Sequence, residues 1–174
     1  SWNGSGWTQL GANIDAEAGG DNGGWSVSLS SDGSRVAIGS KLADASGSLN
    51  NDNRGHVRIY SWNGSAWTQL GADIDGEASL DQSGLSVSLS SDGSRVAIGA
   101  DGNDGNGTSS GHVRIYNYTP SGTASWTQLG ADIDGEASND QSGGSVSLSS
   151  DGSRVAIGAK QNNGSNGSNS GHVR

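Results

Sequence analysis

The chain has 174 residues, a net charge of -9, 31 glycines and neither Cys nor Met. Without Cys there are no disulfides, thiolate metal sites or Cys nucleophile. Two lysines and seven arginines, six of them at repeat-equivalent positions, form no basic patch for nucleic acid. Leu, Ile, Val and Phe supply only 27 residues, below the roughly 20% that with high net charge points to disorder. These aliphatics nevertheless recur in short alternating runs, which argues for order. No apolar run approaches the ~20 residues of a membrane span, and no signal peptide is visible. With no Met even at position 1, the chain is expected to be a processed product or an excerpt of a longer one.

In chain order, Ser1-Trp2-Asn3-Gly4 matches Ser61-Trp62-Asn63-Gly64, a turn that leads into a strand. Residues Trp7, Thr8, Gln9 and Leu10 therefore read as an orphan outer strand within segment 1–20. The Trp-Thr-Gln-Leu-Gly string recurs at Trp67 and Trp126, and Ser-Ser-Asp-Gly-Ser-Arg-Val-Ala-Ile-Gly begins at Ser30, Ser90 and Ser149. Gly-His-Val-Arg begins at Gly55, Gly111 and Gly171. The first two spacings are 60 and 59 residues, which marks tandem repeats somewhat above the ~40–50 residues of a propeller blade.

The middle copy shows the strands. Ser86 to Ser90 alternates small polar with aliphatic residues, as a half-buried strand should. Asp92-Gly93 then predicts a two-residue hairpin turn with φ > 0 at both positions. Residues 95–99 return, residues 112–116 form a third strand after a variable loop, and a Trp67-type string forms the fourth. Nothing has helical periodicity. Val27, Leu29, Val36, Ile38, Val57 and Ile59 are expected on one bulky face, opposite Ser26, Ser28, Ala37 and Gly39. One such sheet cannot bury its own apolar face, so neighbours must.

The run from Ser83 to Ala100 followed by Gly111-His-Val-Arg-Ile-Tyr116 resembles the FG-GAP repeat of integrin-type β-propellers. The Ser-x-Asp-Gly and Val-Arg-Ile-Tyr strings also resemble WD-repeat propellers. Either resemblance implies an all-β propeller with three four-stranded blades per chain. Blade 1 is expected at about 24–79, blade 2 at about 84–138, and blade 3 at about 143–174 without its outer strand. Propellers hold about four to eight blades, so two chains would make a six-bladed ring with about 60° per blade. In that homodimer Trp7, Thr8, Gln9 and Leu10 exchange onto His172, Val173 and Arg174 of the second copy.

Metal-binding FG-GAP blades carry an acidic calcium loop between the first two strands. Here it has shrunk around Asp32, Asp92 and Asp151, too few oxygens for calcium's roughly six to eight ligands. Asp73, Asp75 and Glu77, with Asp132, Asp134 and Glu136 in the next copy, place carboxylates on alternate residues. They are candidates for a hard cation such as calcium, or else solvated caps. His56, His112 and His172 occur once per copy and are expected as strand-edge hydrogen-bond partners. Asp101-Gly-Asn-Asp104 is similar to a calcium nonapeptide loop, and Gly107 to Gly111 matches G-x-S-x-G without the helix that motif needs.

Trp2, Trp25 and Trp62 are candidate ligand contacts, Trp25 because it departs from the repeat. Trp7, Trp67 and Trp126 recur once per copy and read as packing. Asn3, Asn63, Asn106, Asn163 and Asn166 head glycosylation-type strings. The expected function is a non-catalytic binding or adhesion module outside the cell, with an unidentified protein or glycan as partner. A propeller lectin with Trp-containing pockets is the alternative. No cofactor beyond calcium is implied, and no enzyme constellation stands apart from the repeat.

Overall fold

The computed structural model describes residues 1–44, 52–120, 125–164 and 167–174; Asn166 and part of the 40–54 loop fall outside them. The alternating runs fold into antiparallel hairpins. β1 (Ser26–Leu29) pairs β2 (Arg35–Ser40), β2 pairs β3 (His56–Trp62), and the far half of β3 pairs β4 (Trp67–Gln69). A two-residue strand, β5 (Ile74–Asp75), returns to the beginning of β3, setting Asp75 opposite His56. The sequence pattern did not anticipate this fifth strand.

The second sheet repeats the plan with β6 (Ser86–Leu89), β7 (Arg95–Ala100), β8 (His112–Thr119), β9 (Ser125–Gln128) and β10 (Ile133–Asp134). The third contains β11 (Ser142–Leu148), β12 (Val155–Ala159) and β13 (His172–Val173). The described residues are thus all-β, with three sheets and no helix. None of the three sheets closes on itself, and they form no closed ring. No helix among them is long and apolar enough to cross a membrane.

The faces differ from the expected division. Ala37 pairs Ile59 and Ile38 pairs Arg58, so Val57 and Ile59 share a face with Ser28 and Ala37. Val27, Leu29, Val36 and Ile38 lie opposite, together with Arg58 and Tyr60. Cross-strand partners point to the same side, and an offset of one residue moves a whole strand to the other face. The β2–β3 register, set by a long variable loop, was not readable from alternation alone.

This register produces a repeated layer. Val87, Leu89, Val96, Ile98 and Tyr116 of the second sheet pack on Ala37, Val57 and Ile59 of the first. Val146, Leu148, Val155 and Ile157 of the third sheet pack in the same way on Ala97, Val113 and Ile115 of the second. Each fully buried aliphatic contributes roughly 1.5–3 kcal/mol. The outermost faces stay open: Val27 is 64% and Leu29 60% exposed at one end, and Val173 is 74% exposed at the other.

The hairpins also depart from the expected turn. Only Gly33, Gly93 and Gly152 take positive φ there (70°, 64° and 66°); Asp92 does not. Gly93 N–H donates to the Ser90 carbonyl at 2.9 Å, and Ser90 N–H to the Arg95 carbonyl at 3.0 Å. The loop is therefore longer than two residues, and the Asp side chain organises it. Asp92 accepts from Ser90 Oγ (2.7 Å), Ser94 N–H (2.9 Å) and Ser94 Oγ (2.8 Å).

Candidate functional site

The hairpin turns lie at one end of each sheet. At the opposite end, where β2 hands over to β3, the first residues of β3 and β8 carry His56 and His112. Two residues on, Arg58 and Arg114 lie on the same face of the strand. Both arginines are buried, and each donates from Nη2 to a backbone carbonyl of the preceding copy: Arg58 to Asp15 and Arg114 to Asp75, each at 2.7 Å. Arg174 donates likewise to the Asp134 carbonyl at 2.7 Å.

These contacts bring one carboxylate across from the preceding copy. Glu77 places Oε1 3.5 Å from Arg114 Nη1 and Oε2 3.9 Å from His112 Nδ1. Asp132, just before β10, places Oδ2 4.0 Å from the same Nδ1, while its Oδ1 accepts from Gln128 Nε2 at 2.6 Å. The first sheet builds the same group. Glu17 lies 3.6 Å from Arg58, Asp73 Oδ2 lies 4.0 Å from His56 Nδ1, and Gln69 holds Asp73 Oδ1 at 2.6 Å. In each group the His nitrogen and two carboxylate oxygens lie within 4.8 Å of one another. At the third position His172 and Arg174 face Glu136 at 3.6 and 4.0 Å.

The histidines are not the hydrogen-bonding edge groups expected of them. His112 is 1% exposed, and neither ring nitrogen has a hydrogen-bond partner; His56 Nε2 is likewise unpartnered. Burial, and secondarily the Arg114 charge, push the His112 pKa below its ordinary value, so the ring is neutral at pH 7. Over the first group lies a cleft of about 400 Å³ lined by Glu17, Asp44, His56, Gln69, Asp73 and Asp75 with Ala72.

No family profile and no curated protein sequence matches the chain. Its fold is similar to the crystal structure of a protein from Bacteroides uniformis provisionally named a 6-phosphogluconolactonase. The TM-score is 0.53 at 13% identity, over 79% of this chain and 33% of that one. This chain thus spans about a third of that protein's length, and the likeness is one of fold alone. It still corrects two expectations. The FG-GAP and WD-repeat resemblance gains no family match, and the fold comparison leads instead to the fold of that Bacteroides protein. The reading as a non-catalytic adhesion module or lectin, and as no enzyme, loses its ground, because a fold shared with a protein named as an enzyme cannot support it.

The alternating carboxylates separate in space. Asp73 joins Glu17 and His56, whereas Glu77 joins His112 and Asp132 one sheet on. Gly76 breaks the alternation: its N–H donates to the Gly55 carbonyl at 2.8 Å, and a Cβ there would meet the Arg54 carbonyl oxygen. Asp75 lines the cleft and Asp134 follows the same course on β10, outside the Glu77 group. Sequence reasoning missed Glu17 as a partner of Asp73. The signal that could have found it was the recurrence of Glu17, Glu77 and Glu136 one copy upstream of each His-Val-Arg.

The candidate tryptophans Trp2, Trp25 and Trp62 lie outside the two His–carboxylate groups and the cleft. Trp67 and Trp126 donate from Nε1 to the Leu10 and Leu70 carbonyls of the preceding copy at 2.9 and 2.8 Å. Trp2 and Trp62 make tilted ring contacts with Trp7 and Trp67 of their own hairpins, at 5.7 and 5.5 Å between ring centroids. Trp25 is exposed but covered by Lys41 Nζ, 3.4 Å from the ring centre. Asp101 pairs Lys160 of the third copy at 3.1 Å, and Asp104 accepts from Ser109 N–H of its own loop at 2.7 Å, so both carboxylates of the calcium-like string are engaged. The G-x-S-x-G string runs into strand β8 rather than a helix.

Proposed function

We propose that the chain is part of a hydrolase that opens an uncharged lactone or ester, with its reacting centre in the cleft over Glu17, His56 and Asp73. The observation that carries this reading is the cleft itself: a concave site of about 400 Å³ into which a fixed carboxylate and a histidine converge. Asp73 is held at Oδ1 by Gln69, which leaves Oδ2 to take a proton from an attacking water. His56, 4.0 Å away, is placed to share that proton. The fold likeness to the Bacteroides protein provisionally named a lactonase supports the reaction class.

The cleft carries four carboxylates, from Glu17, Asp44, Asp73 and Asp75. Their field repels an anionic substrate, so a neutral ring ester fits better than a phosphorylated one. Measured by proton release, δ-gluconolactone should open faster than its spontaneous rate and faster than 6-phosphogluconolactone. D73N and H56Q should each lower the rate at least tenfold. A rate equal to the spontaneous one, or variants as fast as the parent, would overturn the proposal.

The finer architecture is a proposal too: a six-bladed propeller of two chains, with the three sheets as successive blades. The open faces support it. The exposed Val27 and Leu29 face of the first sheet matches the kind of surface that packs on Val113 in the interior, and Val173 presents the counterpart. In this arrangement Trp7, Thr8, Gln9 and Leu10 lie beside His172, Val173 and Arg174 of the second copy.

A further inference from the structure

We infer that the Glu77–His112–Asp132 group and its repeat, Glu17–His56–Asp73, each bind one divalent transition-metal ion of the zinc type. The second of these groups is the one the hydrolase reading uses, with Asp73 Oδ2 there as a base; the metal site is argued from the Glu77–His112–Asp132 group, which that reading leaves out.

Three atoms converge in the second group: His112 Nδ1, Glu77 Oε2 and Asp132 Oδ2, all within 4.8 Å of one another. The complementary oxygens are already occupied. Arg114 lies against Glu77 Oε1, and Gln128 donates to Asp132 Oδ1. Each carboxylate is thereby oriented with one oxygen toward the histidine, as outer partners orient the ligands of metal sites. The first group repeats both supports with Arg58 and Gln69. The recurrence matters because the two groups share no residue.

His112 supplies the second, independent observation. Its ring is 1% exposed, and Nδ1 is aimed between two carboxylates without a hydrogen bond to either. A buried polar nitrogen left in this way is destabilising until a partner satisfies it. A metal ion satisfies Nδ1 and both oxygens together and places the ring proton on Nε2. Around the site Glu77 and Asp132 carry two negative charges and Arg114 one positive, so with a neutral imidazole the surroundings are net -1 and favour a cation.

The donor set selects the metal. One imidazole nitrogen with two carboxylates suits zinc or its neighbours, whereas calcium wants about six to eight oxygens. Tetrahedral bonds of about 2.0 Å set ligand atoms about 3.3 Å apart, so the two distances from His112 Nδ1, 3.9 and 4.0 Å, close by a little over half an ångström, and the two carboxylate oxygens draw together from within 4.8 Å. Glu77 and Asp132 are partly exposed, which gives the ion an entry path and leaves coordination open toward solvent.

The test is calorimetric titration of the chelator-treated chain with zinc and, separately, with calcium, without substrate. Two zinc ions per chain are expected, with calcium at least tenfold weaker. E77Q, D132N and H112Q should each reduce the count to one, and D132N combined with D73N to none; D134N, outside the group, should keep two. Circular dichroism confirms that each variant is folded. Should H112Q not fold, the isosteric D132N carries the test. Zinc binding that D134N weakens as much as D132N, or that never saturates, overturns the inference. Zinc binding without lactone turnover defeats only the hydrolase reading, and turnover without zinc binding defeats only this one.

Discussion

The Ser86 hydroxyl donates to the Gly143 carbonyl at 2.7 Å, and Ser26 does the same to Gly84 at 2.7 Å, so consecutive sheets are tied backbone to side chain at the same place. The tie demands close approach. A Cβ on Gly99 would meet the Gly143 carbonyl oxygen and Ser86 Oγ, and one on Gly39 would meet their counterparts. G99A should therefore force the sheets apart and cost about 3 kcal/mol, the upper end for overpacking. S86A removes only the hydrogen bond and should cost about 1 kcal/mol. Urea denaturation of both variants checks the order; equal costs would show that the layer tolerates a wider gap.

Leu80 sits at φ 70°, where the equivalent Asn139 has φ 68° and Gly20 has φ 103°. Left-handed backbone costs an ordinary L-residue roughly 1–2 kcal/mol, with Asn and Gly less penalised. Leu80 is also largely exposed, so its side chain returns little. L80N should raise stability by about 0.5–1 kcal/mol, and N139L should lower it by a similar amount. Thermal melts of the pair decide, since opposite signs at matched positions are expected only if backbone strain is the cause.

The hairpin aspartates predict the acid limit of the fold. Hydrogen bonds from Ser34 and Ser30 pull the Asp32 pKa down to about 2; Ser94 and Ser90 do so for Asp92, and Ser149 and Ser153 for Asp151. A carboxyl held below its unfolded value of 3.8 stabilises the fold above that value, and the contribution is lost as pH falls through about 2. The melting temperature should drop steeply from about pH 4 to about pH 2. The triple variant D32N/D92N/D151N should melt lower at neutral pH, with a flatter slope across that window. An unchanged slope would show that other carboxylates govern acid unfolding.

The strands and their repetition were legible in the sequence because period-two alternation and recurring turn residues are local signals. Ser86 to Leu89 and Arg95 to Ala100 form as that alternation requires. The β2–β3 register was not legible: Ala37 faces Ile59 across a long loop, and no local pattern fixes that offset. The candidate site was half visible. Asp73, Glu77 and Asp132 stood out as acids, but their grouping depends on β5, on Gly76 and on sheet stacking, which join Glu77 to a histidine 35 positions downstream. Long-range pairing of this kind is tertiary information, and alternation along the chain carries none of it.

The open end faces lead to a prediction about association. Val27 and Leu29 are 64% and 60% exposed, while their equivalents Val87 and Leu89 are buried against the neighbouring sheet. In the interior the partner surface is built from residues such as Val113, whose equivalent Val173 is 74% exposed. One chain therefore presents both halves of a contact that it makes twice internally, and such head-to-tail surfaces close into rings or extend into filaments. Sedimentation at micromolar concentration should show a dimer. L29K, which sets a charge in the contact, should weaken association at least tenfold while leaving the melting temperature of the isolated chain nearly unchanged. L89K, at the equivalent internal position, should instead unfold the stack. A monomeric parent chain, or an L29K variant that associates like the parent, would rule out this contact.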